Sequence, residues 1–217
     1  MIQVRAANGV IQQLTPNAFE KHFGVKYEPH LVIDKNCPPA EWTQAQTSPR
    51  KVPSESRRRF FEQQIVKITD LGAWSAGSMK TWLYADLIRN AYTANVYIAK
   101  VSEEVGYGAF AGESIDMGRM IGEYTGFARA WRKSDSTNTY LFHYVKDAVI
   151  DARKRGNFSR FINHSAKNAN ARYIRVMVDN VEHTILLAEK DICPDEQILF
   201  NYGEEYWLNR SVPQELG

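Results

Sequence analysis

The chain has 217 residues, 44% hydrophobic and 24% charged, the composition of an ordinary globular protein and not of a disordered, collagenous or coiled-coil one. Twenty-seven basic against 25 acidic side chains give a formal charge of +2, too even a balance for a whole-surface nucleic-acid or membrane binder. The only cysteines are Cys37 and Cys193, which excludes a disulfide framework and a multi-thiolate zinc site and fits a reducing compartment.

The N-terminus lacks the apolar stretch of a cleaved signal, and no run approaches the roughly 18 apolar residues of a membrane span, so a soluble protein is expected. Residues 1–91 read as a helical N-terminal region. Within it Lys35 to Pro53, with Pro38, Pro39, Pro49 and Pro53, is a loop. Ser54 can cap a helix carrying Phe61, Ile65 and Ile68, and Met79, Leu83 and Leu87 continue at four-residue steps after the Gly72 to Gly77 break. The run Arg57-Arg58-Arg59 is best explained as a solvated helix face. From Tyr92 onward short strands replace helices. Ala94, Val96 and Ile98 alternate, as do Ile174, Val176 and Val178 against Tyr173, Arg175 and Met177. Asp179-Asn180 turns the chain into a returning strand over Glu182 to Ala188, and Gln197 to Tyr202 is another strand ending at Gly203. The expected class is therefore α+β: helical 1–91, a β-rich domain over 92–208, and a tail over 209–217. The first 95 residues carry 12 basic and 8 acidic side chains and the rest 15 and 17, so the β-rich part slightly favours cationic ligands.

Four clusters in that part carry chemistry. Val105-Gly106-Tyr107-Gly108 has paired glycines that let a ligand approach the backbone, but it lacks the third glycine and following helix of a dinucleotide site. Ile121-Gly122-Glu123-Tyr124-Thr125-Gly126 is the second. The third is Gly156-Asn157-Phe158-Ser159-Arg160-Phe161-Ile162-Asn163-His164-Ser165, and the fourth is Glu196-Gln197-Ile198-Leu199-Phe200-Asn201-Tyr202-Gly203. Separately each has a structural explanation: a strand turn, a hydrogen-bonded core histidine, one face of a strand.

In this order and spacing they resemble the SET-domain protein lysine methyltransferases, whose signature runs Gly-x-Gly, Glu-Tyr-x-Gly, Arg-Phe-x-Asn-His-Ser and Glu-x-Leu-x-Phe/Tyr-Asp-Tyr. The likeness spans roughly residues 94–207, including Tyr140-Leu141-Phe142 and Val149-Ile150-Asp151-Ala152. Gly122-Glu123-Tyr124-Thr125-Gly126, the helical extension and Tyr206-Trp207 are most similar to the small SET proteins of intracellular bacteria, the chlamydial type. Two departures stand out. Ala166-Lys167-Asn168-Ala169-Asn170 replaces the usual Cys-x-Pro-Asn, and Asn201 replaces an aspartate, keeping hydrogen bonding while losing charge.

The resemblance implies a β-rich SET fold of small twisted sheets, with the Asn163-His164 segment threaded beneath a later loop as a pseudoknot. It implies S-adenosylmethionine as methyl donor and S-adenosylhomocysteine as product, without a metal. Gly106, Tyr107, Gly108, Tyr140, Arg160, Asn163 and His164 would border that molecule, and Tyr206 and Trp207 would cover it where many relatives use a cysteine-rich zinc tail. Tyr124, Phe200 and Tyr202 would line a narrow lysine channel, with Tyr202 and Tyr124 as the catalytic hydroxyls. Phenylalanine at position 200 implies room for di- or trimethylation. The implied partner is a protein with an accessible lysine, a histone tail by family analogy, drawn by Glu204-Glu205 at the rim. No membrane or direct nucleic-acid partner is expected, and nothing in the residues fixes the oligomeric state. The bacterial likeness implies a protein cytoplasmic in its producer, delivered into a host cell and nuclear there.

A lysine with a reference pKa near 10.4 is about 3 units too basic to offer a lone pair at neutral pH, a cost of roughly 4 kcal/mol. Burial in an apolar channel beside a sulfonium offsets it without a dedicated base. The alternative is a SET fold without turnover that grips a lysine tail by apolar and cation–π contacts; retention of Tyr202, Asn163 and His164 favours the enzyme. A nucleic-acid reading built on Arg57 to Arg59 and Arg153-Lys154-Arg155 is disfavoured by the near-neutral charge.

Overall fold

The computed structural model describes residues 2–38, Glu55, Arg59, Glu62, 73–203 and Tyr206. The helix expected from Ser54 through Ile68 and most of the proline-rich loop lie outside the described residues. Strands β1 (Ile2–Arg5) and β2 (Ile11–Leu14) form a hairpin that joins β5 (Val96–Ser102) and β6 (Gly106–Ala111) in the order β2-β1-β5-β6. Strands β4 (Val32–Ile33), β8 (Phe127–Ala130), β10 (Ala148–Asp151) and β9 (Leu141–His143) make a second sheet in that order. Two residues of β3 (Lys26–Tyr27) pair in parallel with β11 (Arg155–Gly156).

The third sheet has five strands in the order β12-β15-β13-β14-β7, formed by Asn163–His164, Leu199–Phe200, Ala171–Val178, Val181–Ala188 and Met120–Glu123. Its central hairpin follows the sequence pattern. Asp179 and Asn180 both take positive φ, 51° and 63°, as a tight turn between right-twisted strands requires. Helix α2 (Ala73–Arg89) lies across this sheet. Leu83, Tyr84 and Ile88 are buried against Val176, Val178, Ile185 and Leu187, and Thr81 Oγ1 donates to the Met177 carbonyl (2.8 Å).

The stretch read as helical is mixed among the described residues, since 2–33 supply β1 to β4 besides one helix. That helix, α1 (Pro16–Phe23), is bounded by local chemistry. Thr15 Oγ1 accepts the Ala18 N–H (3.2 Å), Pro16 fixes φ in the first turn, and Gly24 closes the end with φ 65°. Ile2, Val4, Phe19 and Val25 share one core with Val96, Ile98, Ile121, Phe158 and Phe161, so this segment packs as part of the same body as the later strands.

Strand β15 lies between β12 and β13, which are neighbours in the chain, and pairs in parallel with both: Asn163↔Leu199, His164↔Phe200, Ala171↔Phe200. A late strand thus separates two strands that are consecutive in the chain.

A buried cation fixes the second sheet. Arg129 on β8 donates to both Asp135 carboxylate oxygens (2.7 and 2.8 Å) and to Asp151 (2.7 Å), and the Asn138 amide also reaches Asp151 (3.1 Å). The bonds from Arg129 hold Asp135 below the usual carboxylate range. At Asp151 burial pushes upward, but those bonds win and the net direction is also down. Both groups therefore contribute stability that is complete above about pH 4 and fades as pH falls through their lower folded values. Removing the cation leaves two buried carboxylates, so Arg129→Met is expected to cost about 3–5 kcal/mol at pH 7. Thermal melts should show that gap narrowing below pH 4; an unchanged Tm at pH 7 would contradict the account.

Candidate active site

Sheet and turn geometry converge on one cavity of about 850 Å³, within the roughly 300–1,000 Å³ of small-molecule sites. On one side is β6, whose two glycines serve different ends. Gly106 has φ 79°, which side chains rarely adopt. Gly108 is needed for space, because a Cβ there would stand 2.6 Å from Gln197 Nε2, 2.8 Å from Val101 Cγ2 and 3.2 Å from Asn163 Nδ2. Beside β6 runs the turn Phe158–Phe161, opened by Asn157, whose Oδ1 accepts the Ser159 N–H (3.0 Å). The turn delivers Asn163, whose amide donates to the Tyr107 carbonyl (3.1 Å).

Arg160 belongs to the same turn. Its guanidinium lies 4.1 Å from the Tyr140 ring centroid and 4.8 Å from that of Phe161, and Nε donates to the Ala152 carbonyl (2.9 Å). Burial pulls its pKa below the ordinary value, yet a guanidinium remains charged. The cavity thus has a cation on this wall.

Much of the rest of the lining is aromatic. Tyr173 meets Phe200 at 4.7 Å, Phe142 at 4.8 Å and Tyr124 at 5.7 Å between ring centroids, while Tyr202 lies 5.9 Å from Phe200 and 4.7 Å from Tyr206. The hydroxyls are directed by carbonyls. Tyr202 donates to Ile162 (2.6 Å), Tyr124 to Tyr140 (3.4 Å) and Tyr206 to Thr139 (3.1 Å). Burial raises the pKa of Tyr202, Tyr124 and Tyr173, so all three stay protonated at neutral pH. With its proton committed to Ile162, the Tyr202 oxygen acts toward other groups as an acceptor.

Of the residues singled out in the sequence, Gly106, Tyr107, Tyr140, Arg160, Asn163, Tyr206, Tyr124, Phe200 and Tyr202 line the cavity. Gly108 and His164 stand behind it. Gly108 backs onto Asn163 and Gln197, and His164 Nδ1 accepts the Tyr202 backbone N–H (3.1 Å), which requires that nitrogen to be unprotonated. Trp207, Glu204 and Glu205 lie outside the described residues. Asn201 is exposed and its Oδ1 accepts the Gly203 N–H (2.9 Å). Two wall residues carried no assigned role in the sequence reading, Phe142 and Tyr173. The Tyr173 hydroxyl is buried without a hydrogen-bond partner among the described residues. The available signal was its place in a strand following the Asn-His motif.

The family model described as the SET domain matches residues 106–203. An H3 lysine-4 specific histone-lysine N-methyltransferase of Schizosaccharomyces pombe is 37% identical over 106 residues, 44% of this chain and 11% of that protein. A histone-lysine N-methyltransferase of Arabidopsis thaliana is 33% identical over 111 residues, covering 46% and 30%. A variant-silencing SET domain-containing protein of Plasmodium falciparum is 30% identical over 135 residues, covering 56% and 5%. The chain therefore spans less than a third of the length of each of these relatives. Among solved structures, an active polycomb repressive complex 2 in the stimulated state contains a chain 29% identical, with a TM-score of 0.50, over 57% of this chain and 17% of that one. Residues 106–203 thus match the SET domain and are homologous to the SET domains of histone-lysine methyltransferases.

Proposed function

We propose that the chain is a protein-lysine N-methyltransferase that uses S-adenosylmethionine and acts on histones. The observation that carries the reading is the convergence, in one cavity, of the glycine strand and the Arg160 to Asn163 turn on one side and the tyrosine wall on the other. The residues suit the donor. Arg160 offers a cation to a carboxylate, and Asn163 holds the β6 backbone where Gly108 leaves no room for a side chain. Bound there, S-adenosylmethionine would supply a sulfonium methyl that an amine lone pair takes in line, leaving a neutral thioether and a proton lost to solvent.

The aromatic wall disfavours an unpaired ammonium and so helps generate the neutral amine, and it holds the chain of the lysine in line with the donor side. Tyr202 and Tyr124 place acceptor oxygens at the junction of the two sides. Neither acts as a base, because burial keeps both protonated. Likeness to the bacterial SET proteins supports a host-cell site of action, where chromatin would be met. Incubating the full chain with histones and radiolabelled methyl donor tests the main reading; peptide binding without incorporation would favour the binding-module alternative.

Two further outcomes are expected. Tyr202→Phe should lower kcat about 100-fold, roughly 2.7 kcal/mol of transition-state stabilisation, with little change in peptide KM. Because burial raises the tyrosine pKa values, kcat should climb with pH as lysine deprotonates and show no falling limb up to pH 10; a falling limb below that would mean a required hydroxyl ionises there and would contradict the account.

Product number is the finer question. Phe200 leaves the wall apolar, which supports di- or trimethylation, but the Tyr173 hydroxyl stands in the same wall, its ring 4.7 Å away. A hydroxyl here can retain a water where a second methyl would go. Phe200→Tyr should shift product toward monomethyl-lysine and Tyr173→Phe toward trimethyl-lysine, read by mass spectrometry at exhaustive reaction. Wild-type product confined to monomethyl-lysine would overturn the multiple-methylation reading.

A further inference from the structure

The family match begins at Gly106, yet the donor side of the cavity is braced by a residue more than eighty positions upstream. Phe23, at the end of α1, sits between two cavity-lining rings, 5.1 Å from Tyr107 and 4.8 Å from Phe161 by ring centroids. Tyr107 and Phe161 themselves are 6.1 Å apart. Phe23 does not line the cavity; it stands behind both walls. Its own position is fixed from three sides. Phe19 packs on it at 4.9 Å, Gly24 ends the helix directly after it, and the next strand, β3, is bonded to β11 just before the Phe158–Phe161 turn. On the other flank, β2 and β1 connect α1 through β5 to β6, the strand bearing Tyr107. Helix α1 is therefore tied to both segments that border the donor side, and Phe23 is the side chain that touches both.

We propose that Phe23 is a positioning residue for the methyl donor: it sets the spacing between the Tyr107 strand and the Arg160-Phe161 turn, and so the fit of the donor between them. The proposal rests on the methyltransferase reading above. Edge-to-face and tilted ring contacts of this kind hold geometry as well as burying area, and truncating the ring lets both walls relax inward. Because the lysine side is built from other residues, the effect should be confined to the donor.

Isothermal titration of S-adenosylhomocysteine into the full chain tests this. Phe23→Ala should weaken binding about tenfold and raise the KM for S-adenosylmethionine similarly, with kcat at saturating donor and peptide KM changed less than twofold. Phe23→Tyr, which keeps the ring, should restore affinity to within about twofold. Val178→Ala, which opens the α2 core away from the cavity, should lower Tm without altering that affinity. If Phe23→Ala fails to fold, Phe23→Leu carries the same comparison with an expected loss of about threefold. Unchanged affinity in Phe23→Ala and Phe23→Leu, a loss in Phe23→Tyr as large as in Phe23→Ala, or an equal loss in Val178→Ala, would overturn the proposal. Absence of binding by the wild-type chain would overturn the methyltransferase reading and this inference with it.

Discussion

The placement of β15 between β12 and β13 is the constraint from which the site follows. It is held by Asn170, a buried residue in the short connection between those two strands. Its Oδ1 accepts the Leu199 N–H (2.9 Å), while Nδ2 donates to the Gln197 carbonyl (2.8 Å) and to Glu196 (2.9 Å). The side chain thus does for β15 what a ladder partner would do. The register it fixes decides which side chains face the cavity. Phe200 and Tyr202 point in and Asn201 points to solvent; a slip of one residue would exchange them. Tyr202 is then bound to the β12 region twice, by its N–H to His164 and by its hydroxyl to Ile162. The two ends of the Asn-His motif and the tyrosine strand, far apart in the chain, become one rigid unit.

The two halves of the cavity differ in charge for reasons of burial and bonding. Arg160 keeps its cation by resting on Tyr140 and Phe161 and donating to a carbonyl. The hydroxyls of Tyr202 and Tyr124 are neutral because burial penalises the phenolate. A molecule carrying both a carboxylate and a cationic centre has a place for each: the carboxylate at the guanidinium, the cation near hydroxyl oxygens and aromatic faces. On the proposed reading, this asymmetry orients the donor without any residue changing protonation state.

Much of this was legible in the sequence, and the misses have physical causes. The β13–β14 hairpin was visible because eight-residue strands give alternation enough to read and Asp179-Asn180 accept positive φ. Helix α2 announced itself by Leu83 and Leu87. Helix α1 did not, although Thr15-Pro16 and Gly24 mark its ends, because eight residues with only Phe19 buried give no periodicity. Strands of two residues, β3, β4 and β11, exist only through their partners and have no local signature. In the site, motif residues were found because their order is distinctive. Tyr173 was passed over since alternation on β13 implies one buried face, whereas Val176, Met177 and Val178 are all buried there. A strand covered on both faces hides which side is functional.

That double covering also explains why so large a cavity persists in a well-packed protein. Three apolar clusters meet near it. One joins the N-terminal strands and α1 to β5, β6 and the Phe158–Phe161 turn; one lies under α2; one surrounds Tyr124, Ala128 and Ile150 on the second sheet. Tyr173 packs against the first and third, and its neighbour Ile174 against the second. Two consecutive residues of one strand therefore touch all three clusters. Inward collapse of any wall would have to move this strand, and with it the hairpin that α2 clamps and the β15 pairing that Asn170 locks. The opening is sustained by rings braced edge against face at 4.7–5.7 Å, contacts that resist sliding because Phe200 is anchored on the first cluster, Tyr124 and Phe142 on the third, and Tyr173 on both.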